Sequence, residues 1–578
     1  MIPVLLALLS CTSKPGGGDG LAGDGGGAAT DGGLAGTGGG DDTGTSGGIC
    51  GDGMVDPDED CEPGEALDTG GACGCQADCH FAPVGSACED GDDCSLNDAC
   101  DGFGACVAGA PPDCDDADAC TTDHCEAGTC LHDSWSGSPA DLFDMPFLTD
   151  PSTLDVEVVG TSTVWEGLTP ITVEELRYTS YAYTDCTLEP VRLEAYLAIP
   201  PGASASSPVP GLAVAHGLGG YATAGAASTP AAQLGVVAIA WSGPGQGASE
   251  GVGSTSDHLF DTVPFPGNSW FWEHAVAAIR GITLLTTLDQ VDPDRLAMTG
   301  YSGGALVSYL VNGVDDRIDA IVPVSATGHL DLAIAATPTP GWEYDLLQAM
   351  DPPRDESSPE WAAFETWLDP KNYLATAHGL PLIVDGAQDE FFPLPSMIAT
   401  INDLQAVLPD ARLLAIPNWD HGWYAYFNGD AAQAEAEASL AFWMGGRLGT
   451  DAGLSAVPPQ PAFAGIVPWT CLYDGWYPYA CTAVLLDTGT TGYDVASARF
   501  HWSSDSATAF QSWNLEDQGG GLWGAEVGTL DWNSWNDSNL VYFGEVTYQD
   551  GWLGPEVTVT TIPHVYDGFS PVILPSEL

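Results

Sequence analysis

The chain has 578 residues, of which 81 are acidic and only 11 are Lys or Arg, so its formal net charge is −70. Nucleic-acid binding is all but excluded, because a phosphate backbone requires a basic surface that so few cations do not build. Electrostatic docking on anionic lipid is disfavoured for the same reason. The length predicts two to four domains, and a hydrophobic content of 44% still supports sizeable cores.

The first eleven residues, 1–11, form an apolar run that ends at Cys11. The run is too short to span a bilayer as a helix and is typical of the apolar part of an export signal. Its end, Leu8-Leu9-Ser10-Cys11, resembles a bacterial lipobox, in which the cysteine becomes the lipidated N-terminus. We therefore predict a lipoprotein signal at 1–11 with Cys11 lipidated. The alternative is an ordinary signal peptide with a chance cysteine.

Residues 12–49 are rich in glycine and contain no aromatic side chain. Such a segment buries too little surface to offset its ordering entropy, so it is predicted to be a flexible tether. A tether after a lipidated cysteine indicates display at the outer membrane or cell surface, with the lipid anchor as the only membrane contact. Without the anchor, the protein would be secreted.

Residues 50–132 form an acidic segment that holds 13 of the 17 cysteines, and residues 50–130 have no Lys or Arg. Eight of these cysteines form two repeats of four: Cys88, Cys94, Cys100 and Cys106, and then Cys114, Cys120, Cys125 and Cys130. We expect each repeat to close two disulfides and so to form a compact module without a large core. Cys471 and Cys481 are a further local pair.

Metal binding is the alternative interpretation of the cysteine-rich segment. The cysteine and histidine spacings suit zinc poorly, and export favours oxidation of the thiols. Calcium on the Asp clusters is a second alternative, although no EF-hand loop pattern is present. The prediction is therefore a disulfide module with no metal site.

From residue 141 to residue 450, predicted strands alternate with predicted helices, which indicates βαβ units and a mostly parallel sheet. An aromatic-rich stretch at about 327–378 predicts a helical cap. Between 455 and 578, short runs rich in Trp, Tyr and Thr replace the helices and predict a β-sandwich. The expected strands are Asp155–Gly160, Val191–Ile199, Gly211–Ala215, Val236–Trp241, Arg295–Thr299, Ala320–Val324, Leu382–Asp389 (ending in a turn) and Leu413–Ile416, and the expected helices are Trp270–Leu288 and Gly303–Gly313.

Gly300-Tyr301-Ser302-Gly303-Gly304 matches the G-x-S-x-G nucleophile elbow. The same pattern occurs in the tether at Gly44–Gly48, so context must decide. Ser302 follows a predicted strand and precedes a predicted helix, whose positive N-terminal end would face the site. This context predicts Ser302 as a nucleophile. A plain Gly-rich β–α turn is the alternative.

A serine nucleophile needs a base and a carboxylate that orients the base. Asp389 follows one predicted strand, and His421 lies in a glycine-flanked loop after the last one. The chain order Ser, Asp, His is that of hydrolases with a nucleophile elbow. Asp389 is the predicted acid and His421 the predicted base, with Asp385 and Asp420 as competitors for the acid.

An oxyanion requires two backbone N–H groups. Gly303, directly after the nucleophile, is predicted to supply one. The turn His216–Gly220 follows a predicted strand, and Leu218 in it is predicted to supply the other. A phosphate-binding role for this turn is disfavoured, because it contains neither G-K-[ST] nor G-x-G-x-x-G.

Five stretches carry a resemblance to a known family: PVPGLAVAHGLGG, GPGQGASEG, VDPDRLAMTGYSGG, GAQDEFFPL and NWDHGWY. With them, residues 155–449 resemble the α/β-hydrolase superfamily, in its dienelactone hydrolase, acetyl-xylan esterase and prolyl-oligopeptidase-like branch. The resemblance implies an α/β-hydrolase fold, with Ser302, Asp389 and His421 as the triad and no cofactor.

The resulting prediction is a surface-anchored or secreted serine hydrolase that cleaves carboxylic esters, either small molecules or esters borne on a polysaccharide. A serine peptidase of the prolyl-oligopeptidase or X-Pro type is the alternative within enzymes. A non-catalytic adhesin or carbohydrate-binding protein is the alternative of another class, with Trp523, Trp532 and Trp535 as a candidate binding platform.

Overall fold

The computed structural model describes residues 50–565, without 51, 53, 56, 58, 64–71, 117, 119, 136, 185, 336–341, 422–428, 451–455, 474–476, 490–491, 528–539 and 552–553. The described residues fall into two compact units, one ending at Ser136 and one beginning at Gly137. The predicted lipidation site Cys11 and the tether lie outside the described residues. The predicted domain boundaries stay predictions.

The first unit contains two short antiparallel hairpins and many disulfides. Its strands are β1 (Ala99–Cys100), β2 (Cys106–Val107), β3 (Thr121–Glu126) and β4 (Thr129–Ser134). Its disulfides include Cys50–Cys79, Cys61–Cys75, Cys73–Cys100, Cys88–Cys106, Cys94–Cys125 and Cys114–Cys130. All thirteen cysteines of the segment are disulfide-bonded, including Cys120.

The expected pairing within the repeats is wrong in part. Each repeat closes one disulfide, from its first to its fourth cysteine, at Cys88–Cys106 and Cys114–Cys130. Cys94–Cys125 joins the two repeats. Spacing along the chain therefore does not specify which cysteines approach in space, and neither does cross-strand position, since Cys100 lies opposite Cys106 and Cys125 opposite Cys130 without being bonded to each other.

A nine-stranded sheet forms the centre of the second unit, in the order β13-β12-β11-β10-β8-β9-β7-β6-β5. The six strands from β13 to β9 are parallel to their neighbours, whereas β7 is antiparallel to β9, β6 to β7 and β5 to β6. The strands are β5 (Glu157–Glu166), β6 (Thr169–Thr184), β7 (Thr187–Ile199), β8 (Val209–Ala215), β9 (Val237–Trp241), β10 (Val291–Tyr301), β11 (Ile318–Val324), β12 (Leu380–Gly386) and β13 (Arg412–Ile416).

Ten α-helices lie in the described part of the second unit. They are α1 (Met145–Leu148), α2 (Ala224–Leu234), α3 (Ser256–Leu259), α4 (Trp270–Thr286), α5 (Gly303–Val314), α6 (Leu330–Ile334), α7 (Trp342–Gln348), α8 (Pro359–Trp367), α9 (Leu394–Val407) and α10 (Gly429–Leu448). None of these helices is both long and apolar enough to cross a membrane. All five residues of β9 are buried, as expected for a parallel strand covered on both faces.

This part of the chain has the α/β-hydrolase fold: the strands that follow one another as β8, β9 and β10 lie in the order β9-β8-β10, and β7 runs against its neighbour β9. The fold class predicted from the sequence is confirmed. The strand β6 was not predicted from the sequence, because Glu174, Glu175 and Arg177 interrupt its apolar pattern.

Helices α6, α7 and α8 lie between β11 and β12, where the cap was expected. Their aromatic side chains pack mainly on one another and on neighbouring helices. The Phe364 ring lies 5.7 Å from that of Trp361 and 5.1 Å from that of Phe260, centroid to centroid. These aromatics therefore build a core within the cap.

Two antiparallel sheets follow the hydrolase fold, ordered β14-β15-β19-β18 and β17-β16-β20-β21, with β22 pairing β20. Phe463 of β14 lies 5.9 Å from Phe500 of β16, ring to ring, so the sheets face each other as a sandwich. The side chains of Cys471 and Cys481, and residues Trp532 and Trp535, lie outside what is described. The strands are β14 (Ala462–Tyr473), β15 (Tyr477–Asp487), β16 (Asp494–Ser503), β17 (Gln511–Asn514), β18 (Glu516–Gly519), β19 (Leu522–Val527), β20 (Val541–Gln549), β21 (Glu556–Thr560) and β22 (His564–Val565).

Candidate active site

Ser302 lies on the turn between β10 and α5. Its backbone angles are φ 53° and ψ −118°, a strained conformation for a residue with a side chain. The turn is too tight for larger neighbours. A β-carbon on Gly300 would lie 2.2 Å from the Gly304 carbonyl oxygen, and one on Gly304 would lie 2.5 Å from that of Ala215. The glycines of the motif are therefore required by space, and they hold Ser302 at the N-terminus of α5.

The structure brings the three predicted residues of the triad together. The His421 Nε2 atom lies 2.9 Å from Ser302 Oγ, and its Nδ1 atom lies 2.9 Å from Asp389 Oδ2. The other oxygen of Asp389 accepts backbone N–H groups from Phe391 and Phe392, at 2.8 and 2.9 Å. These bonds fix the carboxylate, which in turn orients the imidazole.

Negative charge surrounds the His421 ring. Burial alone would lower the pKa of this imidazole, but the charge of Asp389 and its hydrogen bond, with the charges of Glu390 and Asp420, outweigh burial and raise the pKa. The arrangement thus stabilises the imidazolium that forms when a serine gives up its proton.

Asp385 and Asp420, the competitors for the acid, do not receive the Nδ1 hydrogen bond of His421, which goes to Asp389. The Asp385 carboxyl is fully buried at the end of β12, and burial and the charge of Asp389 raise its pKa well above the ordinary value. One of its oxygens accepts the Gly386 N–H at 2.8 Å. The raised pKa of Asp385 favours its neutral form, and the histidine bonds the neighbouring carboxyl of Asp389 instead.

The two predicted oxyanion donors are also adjacent. A β-carbon on Gly303 would lie 3.2 Å from the Leu218 backbone nitrogen. In the part of the chain that the structure describes, no hydrogen bond from either N–H is found. His216 supports the turn: its Nε2 accepts the Gly243 N–H at 2.8 Å, and its Nδ1 bonds the Gly217 carbonyl at 2.7 Å. Burial lowers the pKa of His216 to about 4, so the ring is neutral at pH 7.

Sequence reasoning missed several neighbours of the triad. The Glu390 carboxylate accepts the His421 backbone N–H at 3.0 Å, and the Tyr301 hydroxyl donates to the His421 carbonyl. The Phe391 ring lies 4.5 Å from the imidazole, centroid to centroid. Their adjacency to Ser302 and Asp389 in sequence was the available signal, but it does not show which way a side chain points.

None of the candidate metal-ligand groups found among the described residues includes a member of the triad. Three of the four groups contain cysteines that are disulfide-bonded. The fourth is Asp116, Asp123 and His132, in which the histidine bonds Asp123 at 2.8 Å. The residues around Ser302 are suited to acyl transfer.

Comparisons with known proteins complete this description. No family model and no curated protein matches the chain. Among solved structures, the acetyl xylan esterase from Paenibacillus sp. R4 is 19% identical, covers 52% of this chain and 93% of its own, and has a TM-score of 0.41. Acetyl xylan esterase 1 from Thermoanaerobacterium sp. JW/SL YS485 is 18% identical, with 51% and 93% covered and a TM-score of 0.37. The Pyrococcus horikoshii acylaminoacyl peptidase is 14% identical, with 46% and 45% covered and a TM-score of 0.32. These similarities carry no information on activity, which has to be argued from the site.

Proposed function

We propose that this chain is a serine hydrolase that cleaves carboxylic esters through an acyl-enzyme on Ser302. One observation carries the proposal: the hydrogen-bonded series from Ser302 Oγ through His421 to Asp389, with both distances at 2.9 Å, on a strained turn at a helix N-terminus. A plain Gly-rich turn would require neither the strain nor the histidine. This arrangement is the one that activates a serine hydroxyl.

The proposed reaction has two halves. In the first, His421 takes the Ser302 proton as Oγ attacks the ester carbonyl, and the Gly303 and Leu218 N–H groups bind the resulting oxyanion. His421 then gives the proton to the alcohol as it leaves. In the second half, water attacks the acyl-enzyme by the same route and releases the acid and free Ser302. Asp389 holds the imidazole in the required tautomer throughout.

The substrate class is proposed as short-chain acyl esters, free or carried on a polysaccharide. The peptidase alternative uses the same triad, and no described contact favours it. We further propose that the protein is exported and anchored at the outer membrane or cell surface through Cys11. The six disulfides of the first unit support export, because such bonds persist in oxidising compartments.

The test uses the full chain with its disulfides formed. The wild type should react with a fluorophosphonate and hydrolyse p-nitrophenyl acetate, whereas Ser302→Ala should lose both, with a fall in kcat of about 10⁴–10⁶. Ser308→Ala is the matched control, because this serine lies on the same helix and its Oγ bonds the Gly304 carbonyl at 2.9 Å.

An unlabelled but folded wild type would refute the serine-hydrolase proposal. Labelling that survives Ser302→Ala would show that another residue is the nucleophile. Cleavage of dipeptide p-nitroanilides at a higher kcat/KM than the ester would replace the esterase proposal by the peptidase. For the anchor, the mass of the mature N-terminus should show a diacylglyceryl group on Cys11, and an unmodified N-terminus would refute it.

A further inference from the structure

The C-terminal sandwich contacts both loops that carry the base and the acid of the candidate site. The contact is made by the loop 504–510, which joins β16 to β17. Gln388, the residue before Asp389, donates from its Nε2 to the Ala507 carbonyl at 2.9 Å and also to the Thr508 carbonyl. The sandwich is thereby bonded to the residue next to the acid.

A second contact reaches the histidine loop. The Asn418 side chain exchanges two hydrogen bonds with the backbone of Phe510: its Nδ2 donates to the carbonyl at 3.0 Å, and its Oδ1 accepts the N–H at 2.7 Å. Asn418 is 3% exposed and has a φ of 58°, a conformation that asparagine tolerates better than most residues. Two hydrogen bonds to one backbone residue fix both the position and the orientation of the amide.

The two loops are also bonded to each other. The Gln388 backbone N–H donates to the Trp419 carbonyl at 3.0 Å, and the Ala387 N–H donates to the Ile416 carbonyl at 2.8 Å. The acid loop, the histidine loop and the sandwich loop thus form one hydrogen-bonded set. A displacement of the acid loop or the histidine loop would change the distance from His421 to Asp389 or to Ser302, and the sandwich loop is bonded to both.

The 504–510 loop is itself well ordered by its own contacts. Ser506 and Ala507 are both buried, at 5% and 3% exposure, and Asp505 accepts the Ala509 N–H at 3.1 Å. The Phe510 ring packs edge-on against Phe543 of β20, at 5.3 Å between centroids. A loop that is fixed in the sandwich core can hold other loops in place.

We propose that Gln388 and Asn418 are positioning residues through which the C-terminal sandwich holds the Asp389 and His421 loops in their reactive geometry. The inference rests on the proposed function for its activity readout. It gives the sandwich a part in turnover beyond binding or stability. Errors of about 1 Å in the placement of a catalytic group can cost about 10²-fold in rate, so loss of these bonds is expected to act on kcat.

The experiment compares two variants with a matched control in the full chain. Asn418→Gly keeps the positive φ accessible and removes the amide, and Gln388→Met keeps the side-chain length and removes the donor. Ser439→Ala is the control, because Ser439 on α10 accepts the Thr558 N–H of β21 at 2.9 Å and so also joins the sandwich to the hydrolase fold, but not to either loop. All are assayed well below their melting temperatures.

We expect each loop variant to lower kcat for p-nitrophenyl acetate by about 10- to 100-fold with KM within about twofold, while Ser439→Ala keeps the wild-type kcat. Hydrogen exchange should rise at 386–392 and 416–421 in the loop variants and not in the control. An unchanged kcat in both loop variants, or an equal loss in the control, would overturn the proposal.

Failure of the proposed function has a different signature. If the folded wild type neither reacts with a fluorophosphonate nor turns over esters, the serine-hydrolase proposal fails, and the exchange measurement still tests the sandwich contact. Faster exchange confined to the two loops in Asn418→Gly would then support the positioning role. Exchange that is unchanged, or equally raised by Ser439→Ala, would contradict it.

Discussion

The two compact units of this chain differ in how many acidic side chains they bury. The first unit contains 21 acidic residues and no Lys or Arg between residues 50 and 130, and most of these side chains are exposed. The second unit buries several carboxyls, among them Glu343, Asp385 and Asp389, and the last of these contacts the His421 imidazole. In the described part of the first unit, the apolar cluster of Cys73, Ala82 and Cys100 is small, and disulfides join the chain.

This difference follows from how each unit is stabilised. Disulfides restrict the unfolded chain and do not require a large apolar interior, so a segment of almost any charge can be held by them. A hydrophobic core penalises every buried charge that lacks a partner, so a buried carboxyl either binds a partner or becomes neutral. Carboxyls buried beside a serine and a histidine therefore point to chemistry, whereas the exposed acids of the first unit do not.

The largest effect is expected from replacing the buried carboxyl of Asp389, in comparison with the same replacement at the buried carboxyl of Asp385. Asp389→Asn should lower kcat for p-nitrophenyl acetate by about 10⁴, because an amide cannot hold the imidazole in the required tautomer. Asp385→Asn should have little effect, because the raised pKa of Asp385 favours a neutral acid and an amide has the same shape. Steady-state kinetics on the two variants measure both effects. A large loss from Asp385→Asn with activity retained in Asp389→Asn would reverse the assignment of the acid.

The next largest effect is expected from removing a disulfide, and the loss of stability should be confined to the first unit. Replacing both cysteines of Cys94–Cys125 by serine opens a link with a sequence separation of 31. The free energy of unfolding of this unit should fall by about 3–4 kcal/mol, measured by limited proteolysis within 50–136, with ester turnover unchanged. Leu306→Ala, at a buried position of α5, is the converse variant and should cost about 2–5 kcal/mol in the second unit. Loss of turnover in the double serine variant would contradict the comparison.

A smaller effect concerns Glu343 on α7, which is fully buried and accepts no hydrogen bond from any other described residue. Burial raises its pKa well above 4.5, so the folded protein binds a proton that the unfolded chain releases at lower pH. The associated stability is present below about pH 4.5 and is lost as the pH rises through the folded pKa, by about 1.4 kcal/mol per unit. Glu343→Gln should therefore melt at a higher temperature than the wild type at pH 8, and this advantage should shrink toward pH 5.

Asp345→Asn, at an exposed position of the same helix, is the control for Glu343→Gln and should leave the pH dependence of melting unchanged. If Glu343→Gln melted at the same temperature as the wild type at every pH, burial of this carboxyl would not destabilise the folded protein. Burial would then make no difference between Glu343 and the exposed acids of the first unit in their effect on stability.

The sequence predicted the parts of this molecule that depend on local pattern. Short motifs predict the turn at Ser302 and the order of Ser302, Asp389 and His421. The structure brings these three residues together. The contacts of Gln388 and Asn418 were not predictable, because their partners at 507–510 lie about 90–120 residues further along the chain. The prediction of the disulfide pairing was wrong in part for the same reason, since pairing depends on distances in space and not on spacing in the chain.

The smallest effect concerns the net charge of −70 itself. Repulsion among exposed acids is screened over about 10 Å at 0.1 M salt and about 3 Å at 1 M, whereas the interactions among buried carboxyls are screened far less. Raising NaCl from about 0.05 to 0.5 M should therefore raise the melting temperature by a few degrees, which corresponds to roughly 1 kcal/mol of stability. The ratio of kcat between Asp389→Asn and Asp385→Asn should stay unchanged. An equal concentration of sucrose controls for excluded-solute effects. A melting temperature that does not change with NaCl would show that repulsion among the exposed charges does not lower the stability. The electrostatic destabilisation would then be limited to the buried carboxyls.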